Sequence, residues 1–490
     1  MPTHARRWFS LLPVARFAAC AAGVLVALAC AMPAHAQPAA PAIPPPPTPV
    51  KFTLIRCGTL HAVPGQPPIK DASVLCKDGV VVQIAGGGKA LDMAAANTPG
   101  AVLAEVDWRD RTVTPGLIDC HVHLADEWNA TLRARFTTEG DSFAAVRGAS
   151  YAKKTIDAGF TTVRDLGARR PDVIFGLRDA INAGFAVGPR IIAAGHPISM
   201  TGGHGDFTLN FRPEIFGVQT PDDGVADGPE ECMKAVRNQI KLGADVIKVT
   251  ATGGVLSASS AGLAQHYFDD ELAAIVRTAH SLGKKVAAHA HGTDGINAAI
   301  RAGVDSIEHG TYLDDSSIAL FKERASAAGK AGAAGGATGG AAGGALPTGI
   351  CYHVPTLLAA ATVAENAEKT GYYLKMVADK ARLVGPKAVE MFRASYKGGV
   401  KIAFGTDTGV SAHGGNAREF TLMIAAGMSP TEALVSATIT ASQLLGLEAQ
   451  IGTIEVGKAA DLVSFRADPT SEPAEFERAA GVIKGGELVR

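Results

Sequence analysis

Residues 115–124 read PGLIDCHVHL, a short apolar run that closes on His121 and His123. Side chains along a strand alternate between faces, so the two imidazoles of an H-x-H point the same way. Seven further runs share this texture: GFTTVRDLG (159–167), GPRIIAAG (188–195), GADVIKVTATGG (243–254), KKVAAHAHG (284–292), GVDSIEHG (303–310), ICYHVPTL (350–357) and GVKIAFGTD (399–407). They are nearly continuous in apolar residues, as strands covered on both faces must be. Longer amphipathic stretches separate them. In 269–283 (DDELAAIVRTAHSLG), Asp269 or Asp270 can cap a helix and Gly283 can end it. Eight such alternations predict an α/β fold, a parallel (β/α)8 TIM barrel over residues 114–450.

Texture changes on both sides of that region. Residues 50–113 carry short β-rich runs punctuated by Gly and Asp-Gly, which read as antiparallel strands with tight turns. Residues 451–490 return to the same texture. The expectation is a small β-sandwich built from both ends of the mature chain. Residues 325–348 (ASAAGKAGAAGGATGGAAGGALPT) interrupt the barrel between its sixth and seventh runs and read as a flexible surface insertion.

The polar residues of the barrel runs gather at or near their ends. His121 and His123 close the first, Lys248 lies in the fourth, His289 and His291 close the fifth, His309 (after Glu308) the sixth and Asp407 the eighth. In (β/α)8 enzymes the working residues project from the C-terminal ends of the strands. An H-x-H alone carries little, since many histidines are solvated or satisfied by hydrogen bonds. The four histidines His121, His123, His289 and His309, with Lys248 and Asp407, are together poor barrel filling, because burying them unpaired is expensive. Imidazoles and a carboxylate converging on one mouth suit a zinc-like cation.

PGLIDCHVHL, IKVTATGG, HAHG, SIEHG and FGTDTG, taken together, resemble the metal-dependent amidohydrolase superfamily, in particular its imidazolonepropionase-like and Xaa-Pro dipeptidase-like members. The resemblance extends over about residues 50–490. It implies two divalent metal ions, with His121, His123 and Asp407 on the more buried one and His289 and His309 on the more exposed one. It also implies a CO2-derived carbamate on Lys248 that bridges both. That modification has a chemical reason: a lysine ammonium has no lone pair to offer a cation, whereas a carbamate is anionic with two oxygens. The unmodified alternative is a snorkelling or salt-bridged lysine. Zinc is the expected metal, although this ligand set also accepts Mn, Co or Fe. Asp407 would accept a proton from the attacking water and deliver it to the leaving amine.

Similar members cleave dipeptides and N-acyl amino acids, and some hydrolyse the amide of ochratoxin A. The resemblance therefore implies a small peptide or N-acyl amino acid as substrate, and a homo-oligomer, up to an octamer. His204, in the Gly-rich MTGGHGD loop, is a candidate to bind a substrate carboxylate or an oxyanion, and equally reads as a solvated loop histidine. His291 shares a face with His289 and is a candidate substrate contact. Tyr267 could polarise the carbonyl, as a tyrosine does in similar dipeptidases. His353 and Arg418 are candidates for the loop after the seventh strand and the helix after the eighth. Other classes stay open. A barrel lysine can form a Schiff base, making Lys248 the centre of a lyase that borohydride would trap. Cyclic-amide hydrolysis and metal retention without turnover are further alternatives.

Composition narrows the field. Hydrophobic residues make up 47% and charged residues 19% of 490, a globular balance. The formal net charge is -1, and no Lys/Arg run marks a nucleic-acid partner. Arg6, Arg7 and Arg16, an apolar run from Phe17 to about Met32, and Ala34-His35-Ala36 read as a secretory signal peptide over 1–36, with Gln37 the mature terminus. This predicts a periplasmic or secreted protein; the alternative is a membrane anchor, for which the run is short. Residues 37–49 read as a Pro/Ala-rich linker. The mature chain keeps Cys57, Cys76, Cys120, Cys232 and Cys351, too few for a disulfide scaffold. Cys57 and Cys76 lie on neighbouring strand-like runs, and either a bond or two buried thiols fits.

Overall fold

A computed structural model of the chain describes residues 49–257, 262–333 and 349–490. The signal-peptide reading, all but the last residue of the linker, and positions 334–348 of the low-complexity run lie outside the described residues. The first part of that run is not a loop. The helix Asp315–Ala333 continues into it, because alanine is the best helix former and the run is rich in it.

The N-terminal strands are β1 (Lys51–Leu60), β2 (Ile69–Lys77), β3 (Val80–Ala85) and β4 (Val102–Pro115). The parallel strands are β5 (Leu117–Val122), β6 (Phe160–Asp165), β7 (Arg190–Ala193), β8 (Val246–Thr250), β9 (Lys285–Ala290), β10 (Ser306–His309) and β11 (Tyr352–Val354). The chain ends in β12 (Leu462–Phe465), β13 (Gly481–Lys484) and β14 (Glu487–Leu488).

Strands from both ends of the described chain share one seven-stranded sheet, ordered β14-β13-β12-β4-β1-β2-β3. The sheet is mixed, which corrects the antiparallel expectation. β1 pairs antiparallel with β2 but parallel with β4, since β4 returns alongside β1 only after the β2–β3 hairpin and a loop. β12 then closes on the last residues of β4, Thr112–Pro115, so the chain ends dock where the parallel strands begin. Ile55, Val74, Trp108, Leu462 and Ile483 form its buried core. Cys57 and Cys76 are free and buried; their register sets them opposite Ala72 and Thr53 and not opposite each other. Burial pushes both thiols up to about 12.

The parallel strands form two ladders, β5-β6-β7 and β8-β9-β10-β11. Backbone bonds continue across both gaps. Asp245 N donates to Ala193 O at 2.8 Å and Ile198 N to Lys248 O at 2.8 Å, joining the β7 segment to β8. The eighth run is not a regular strand, yet it lies between β11 and β5. Ala403 N donates to His353 O (3.0 Å), Cys120 N to Phe404 O (2.9 Å) and Asp407 N to His121 O (2.7 Å). Its ladder is irregular because Asp407 turns left-handed, at φ 57°. Gly405 is required there: a Cβ would meet Val354 at 2.3 Å.

Helices follow the strands, and their ends show how the sequence sets the alternation. Gly243 and Gly303 terminate the helices Gly228–Leu242 and Thr293–Ala302 at φ 111° and 104°, a conformation glycine adopts without strain. Two residues later Asp245 and Asp305 accept the backbone N–H groups of Ala193 and Val286, fixing where β8 and β10 start relative to their neighbours.

Candidate functional site

A cavity of about 260 Å³ opens at the C-terminal ends of the parallel strands. His121, His123, Lys248, His289, His309 and Asp407 all line it, so the six sequence-selected residues meet on one wall. The imidazole rings lie close: His121 to His123 at 5.3 Å, His121 to His309 at 5.2 Å and His289 to His309 at 4.7 Å between centroids. Two triads have ligand-capable atoms within 4.8 Å of one another: His121, His309 and Asp407, and His289, His291 and His309. His123 joins through Asp407, whose Oδ1 lies 3.1 Å from its Nε2.

Each of these rings has one nitrogen engaged by the protein. His123 Nδ1 donates to Gly167 O (2.7 Å), and His289 Nε2 donates to Gly253 O (3.3 Å). His121 Nδ1 donates to Glu308 Oε2 (2.9 Å). His309 Nδ1 contacts the Thr356 hydroxyl and His291 Nδ1 the Thr311 hydroxyl, each at 2.7 Å. The second nitrogen of His289, His291 and His309 is left for the cavity, while those of His123 and His121 face Asp407 Oδ1 at 3.1 and 3.5 Å. This is how metal-ligating histidines are held, their outer nitrogen fixing tautomer and orientation. Burial, then the Lys248 charge, pushes His121 down to about 4, and burial holds His289 and His309 well below the ordinary range. Burial thus disfavours the charged form of these three imidazoles, and the neutral form has a lone pair to offer a cation. His123 differs: burial would lower it, but the Asp407 carboxylate holds it above its usual value. Asp407 Oδ1 is buried between two imidazoles, with His123 Nε2 at 3.1 Å and His121 Nε2 at 3.5 Å. Buried imidazoles converging on a buried carboxylate fit a divalent cation.

Lys248 is buried in the middle of β8, and burial pushes its amine down to about 8 against the pull of Glu308 and Asp407. Asp407 is held at about 2. Burial alone would raise it, but the His121 and His123 rings and Lys248 outweigh that.

His204 and His291 line the same cavity, as expected for residues near a substrate. His204 stacks on His289 at 4.2 Å, and Gly254 makes room for it, since a Cβ there would lie 2.2 Å from the ring. His291 also stands where a ligand could, within the second triad. Three expectations fail on position. Tyr267 is buried in the core and spends its hydroxyl on Ala226 O (3.2 Å). His353 lies behind the cavity, with Nε2 donating to His309 O (3.2 Å) and Nδ1 accepting from Ser395 Oγ (2.9 Å), so neither nitrogen is left for a substrate. Arg418 is bonded to Glu365 (2.6 Å) away from the cavity.

Sequence reasoning passed over the supporting residues. Glu308, fully buried, accepts from His121 and from Arg164 Nη2 (2.9 Å). Burial opposes its charge, yet Arg164 and His121 hold it at about 2. Asp165 accepts Leu124 N (2.6 Å) and Gly167 N (3.2 Å), pinning the backbone beside His123 and the carbonyl its ring uses. The one sequence signal was the Glu before His309. Glu308→Gln should weaken metal affinity by roughly 10–100-fold, the usual cost of losing an outer partner of a ligand. It should also destabilise the fold by about 3 kcal/mol, because Arg164 is left buried without its counter-charge. Competition with a chelator and a melting curve read the two effects; unchanged affinity would reduce Glu308 to a purely structural partner.

The same arrangement has relatives. Ochratoxinase of Aspergillus niger is 30% identical over 460 residues, covering 90% of this chain and 87% of its own. A crystal structure of a Xaa-Pro dipeptidase with methionine bound in its active site superposes with a TM-score of 0.79 at 37% identity, over 89% of this chain and 99% of that one. A prolidase complexed with N-methylphosphonate-L-proline matches with a TM-score of 0.71 at 29% identity, over 90% and 99%. These neighbours imply a TIM-barrel fold and a hydrolase acting on carbon–nitrogen bonds. The sequence pattern of the amidohydrolase family runs through residues 112–489, from the end of β4 across every residue of the cavity wall, and the chain belongs to that family.

Proposed function

We propose that this enzyme hydrolyses the amide bond of dipeptides or N-acyl amino acids at a binuclear metal centre. The observation that carries the reading is the gathering of His121, His123, Lys248, His289, His309 and Asp407 on one cavity wall, with one nitrogen of each ring held by the surrounding protein. His121, His123 and Asp407 would hold one divalent ion, zinc in class, and His289 and His309 the other. A carbamate on Lys248 would bridge them. When bound, such a pair supplies Lewis acidity and lowers the pKa of a coordinated water to roughly 7. The chain's own residues do the rest. Asp407 takes the water's proton and returns it to the departing amine. His204 and His291, on the same wall, face the carbonyl oxygen as its charge develops. Apolar residues of the cavity, among them Trp128, Leu132 and Val363, exclude solvent and favour a hydrophobic or aromatic group. Relatives named as ochratoxinase and Xaa-Pro dipeptidase support this substrate class.

The architecture belonging to this reading is a closed (β/α)8 barrel over residues 114–450, with a β-sandwich from 50–113 and 451–490. The backbone bonds across both ladder gaps support closure. Homo-oligomer formation, up to an octamer, and export to the periplasm through residues 1–36 complete the proposal and suit a scavenging or detoxifying enzyme. The test is a library of dipeptides and N-acyl amino acids assayed on zinc-loaded protein alongside metal analysis. Expected are two metals per chain, hydrolysis of at least one member, and loss of activity to a chelator with recovery on adding metal. Active protein without metal would overturn the reading.

A further inference from the structure

One wall of the cavity carries charge that the histidine cluster does not use. Six arginines fall in the segment from Arg133 to Arg170, and Arg164 among them is spent on Glu308. Arg147 is bonded to Asp126 (2.6 Å) and to Glu139, Arg170 to Asp141 (2.8 Å), and Arg135 lies 4.0 Å from Glu139. Arg133 and Arg169 have no carboxylate partner among the described residues, and these two are the arginines that line the cavity. Asp126 lines it as well, but its carboxylate is committed to Arg147.

Both free guanidiniums are held in place. Arg169 Nη2 donates to Phe136 O (3.1 Å), and its guanidinium carbon lies 4.6 Å from the Phe136 ring centroid and 5.5 Å from that of Phe216. Arg133 Nη2 donates to Leu209 O (2.8 Å), with its guanidinium 4.3 Å from the Phe211 ring. Each of these bonds uses one of five N–H donors, leaving a rigid fork able to take a carboxylate. Aromatic faces orient a guanidinium without neutralising it. Arg169 is also tied to the cluster through the chain. It follows Gly167, whose carbonyl accepts a hydrogen bond from His123 Nδ1, and Ala168, whose N–H donates to Gly195 O (2.9 Å). Arg133 is exposed at the rim, and Arg169 is half-buried.

We infer that Arg169, assisted by Arg133 at the rim, binds the free α-carboxylate of the amino acid released from the amide, and so selects acids over their amides. This rests on the amide-hydrolase reading of the site. Trp128, Leu132 and Phe136, on the same wall, take that amino acid's side chain. The carboxylate then fixes which end of the substrate faces the histidines.

The experiment compares metal-loaded wild type with Arg169→Gln and Arg169→Lys. Calorimetry measures binding of four probes, L-phenylalanine, L-leucine, L-methionine and L-proline, and of their carboxamides. Kinetics follow the best N-acyl amino acid and its carboxamide. Wild type should bind at least one acid more tightly than its amide. Arg169→Gln should weaken that acid about 10–100-fold and leave the amide unchanged, while Arg169→Lys, which keeps charge without the fork, falls between. Metal content and melting temperature should match wild type. Equal losses for acid and amide, or no change for either, would overturn the assignment. So would a wild type that prefers no acid among the four. If wild type with two metals hydrolyses nothing, the amide-hydrolase reading fails, and the calorimetry still decides whether Arg169 selects carboxylates.

Discussion

Lys248→Ala should leave a folded protein that keeps little metal and loses activity by on the order of a thousand-fold or more. Lys248 sits mid-strand, buried in β8, with Val246 and Thr250 on the same face of the chain. No neighbouring lysine or carboxylate in β8 can replace it. Removing an outer partner of a ligand costs roughly 10–100-fold in affinity, so removing a group that bridges two cations should cost more. The fold should survive. A buried amine is expensive to desolvate, and a methyl group in its place removes that cost while leaving a cavity lined partly by polar groups. The measurement is metal per chain after gel filtration, with turnover on the best substrate. A short carboxylate such as acetate or propionate, supplied at high concentration, should restore part of both, because it offers the two anionic oxygens that a carbamate would. Full metal content in Lys248→Ala would remove Lys248 from the ligand set. Borohydride trapping of a substrate carbonyl on the wild-type lysine would redirect it to imine chemistry.

Much of this site can be read from the sequence because its determinants are local. His121 and His123 share a face by the two-residue period of a strand. His289 and His291 repeat the device four strands along, and their rings lie 4.7 Å apart. What escapes is set by contacts between distant residues. His121 and Glu308 are 187 positions apart and Arg164 and Glu308 144, so no spacing announces their bonds. Nor does composition reveal the backbone at His309, Thr356 and Asp407, which hold φ values of 69°, 49° and 57°. A left-handed conformation is a strained choice for histidine and threonine, and it is sustained only where surrounding contacts over-determine it. Here Thr356 touches His309, and Asp407 is bonded to His121 through the backbone. The expectations for Tyr267 and His353 failed for a related reason. Their residue types suit catalysis, but the Ala226 carbonyl and the His309–Ser395 pair consume their polar atoms inside the core. The fold expectation met the same limit. Hydrophobic runs located the strands, whereas the parallel pairing of β1 with β4 depends on where a long loop returns.

Asp407→Asn should damage turnover far more than metal content. The amide side chain keeps the shape and one neutral oxygen that can still face a cation, but it cannot accept a proton. General acid–base groups typically contribute 10²–10⁴-fold, and the expected fall in kcat is about that size, with most of the metal retained. The two predictions are coupled by charge. As an ammonium, Lys248 helps hold the Asp407 carboxyl at about 2, where it is ionised but a feeble base. A carbamate on Lys248 would reverse the sign of that interaction and move Asp407 toward the proton affinity a shuttle needs. Asp407→Asn should therefore retain the response to CO2 removal in its metal content while losing turnover under all conditions. Metal analysis, kcat and a parallel Asp407→Ala variant separate the roles. If Asn and Ala lose metal and activity in equal proportion, Asp407 is a ligand alone and the proton must travel by another group, for which His204, stacked on His289 with Nδ1 unbonded, is a candidate on the wall.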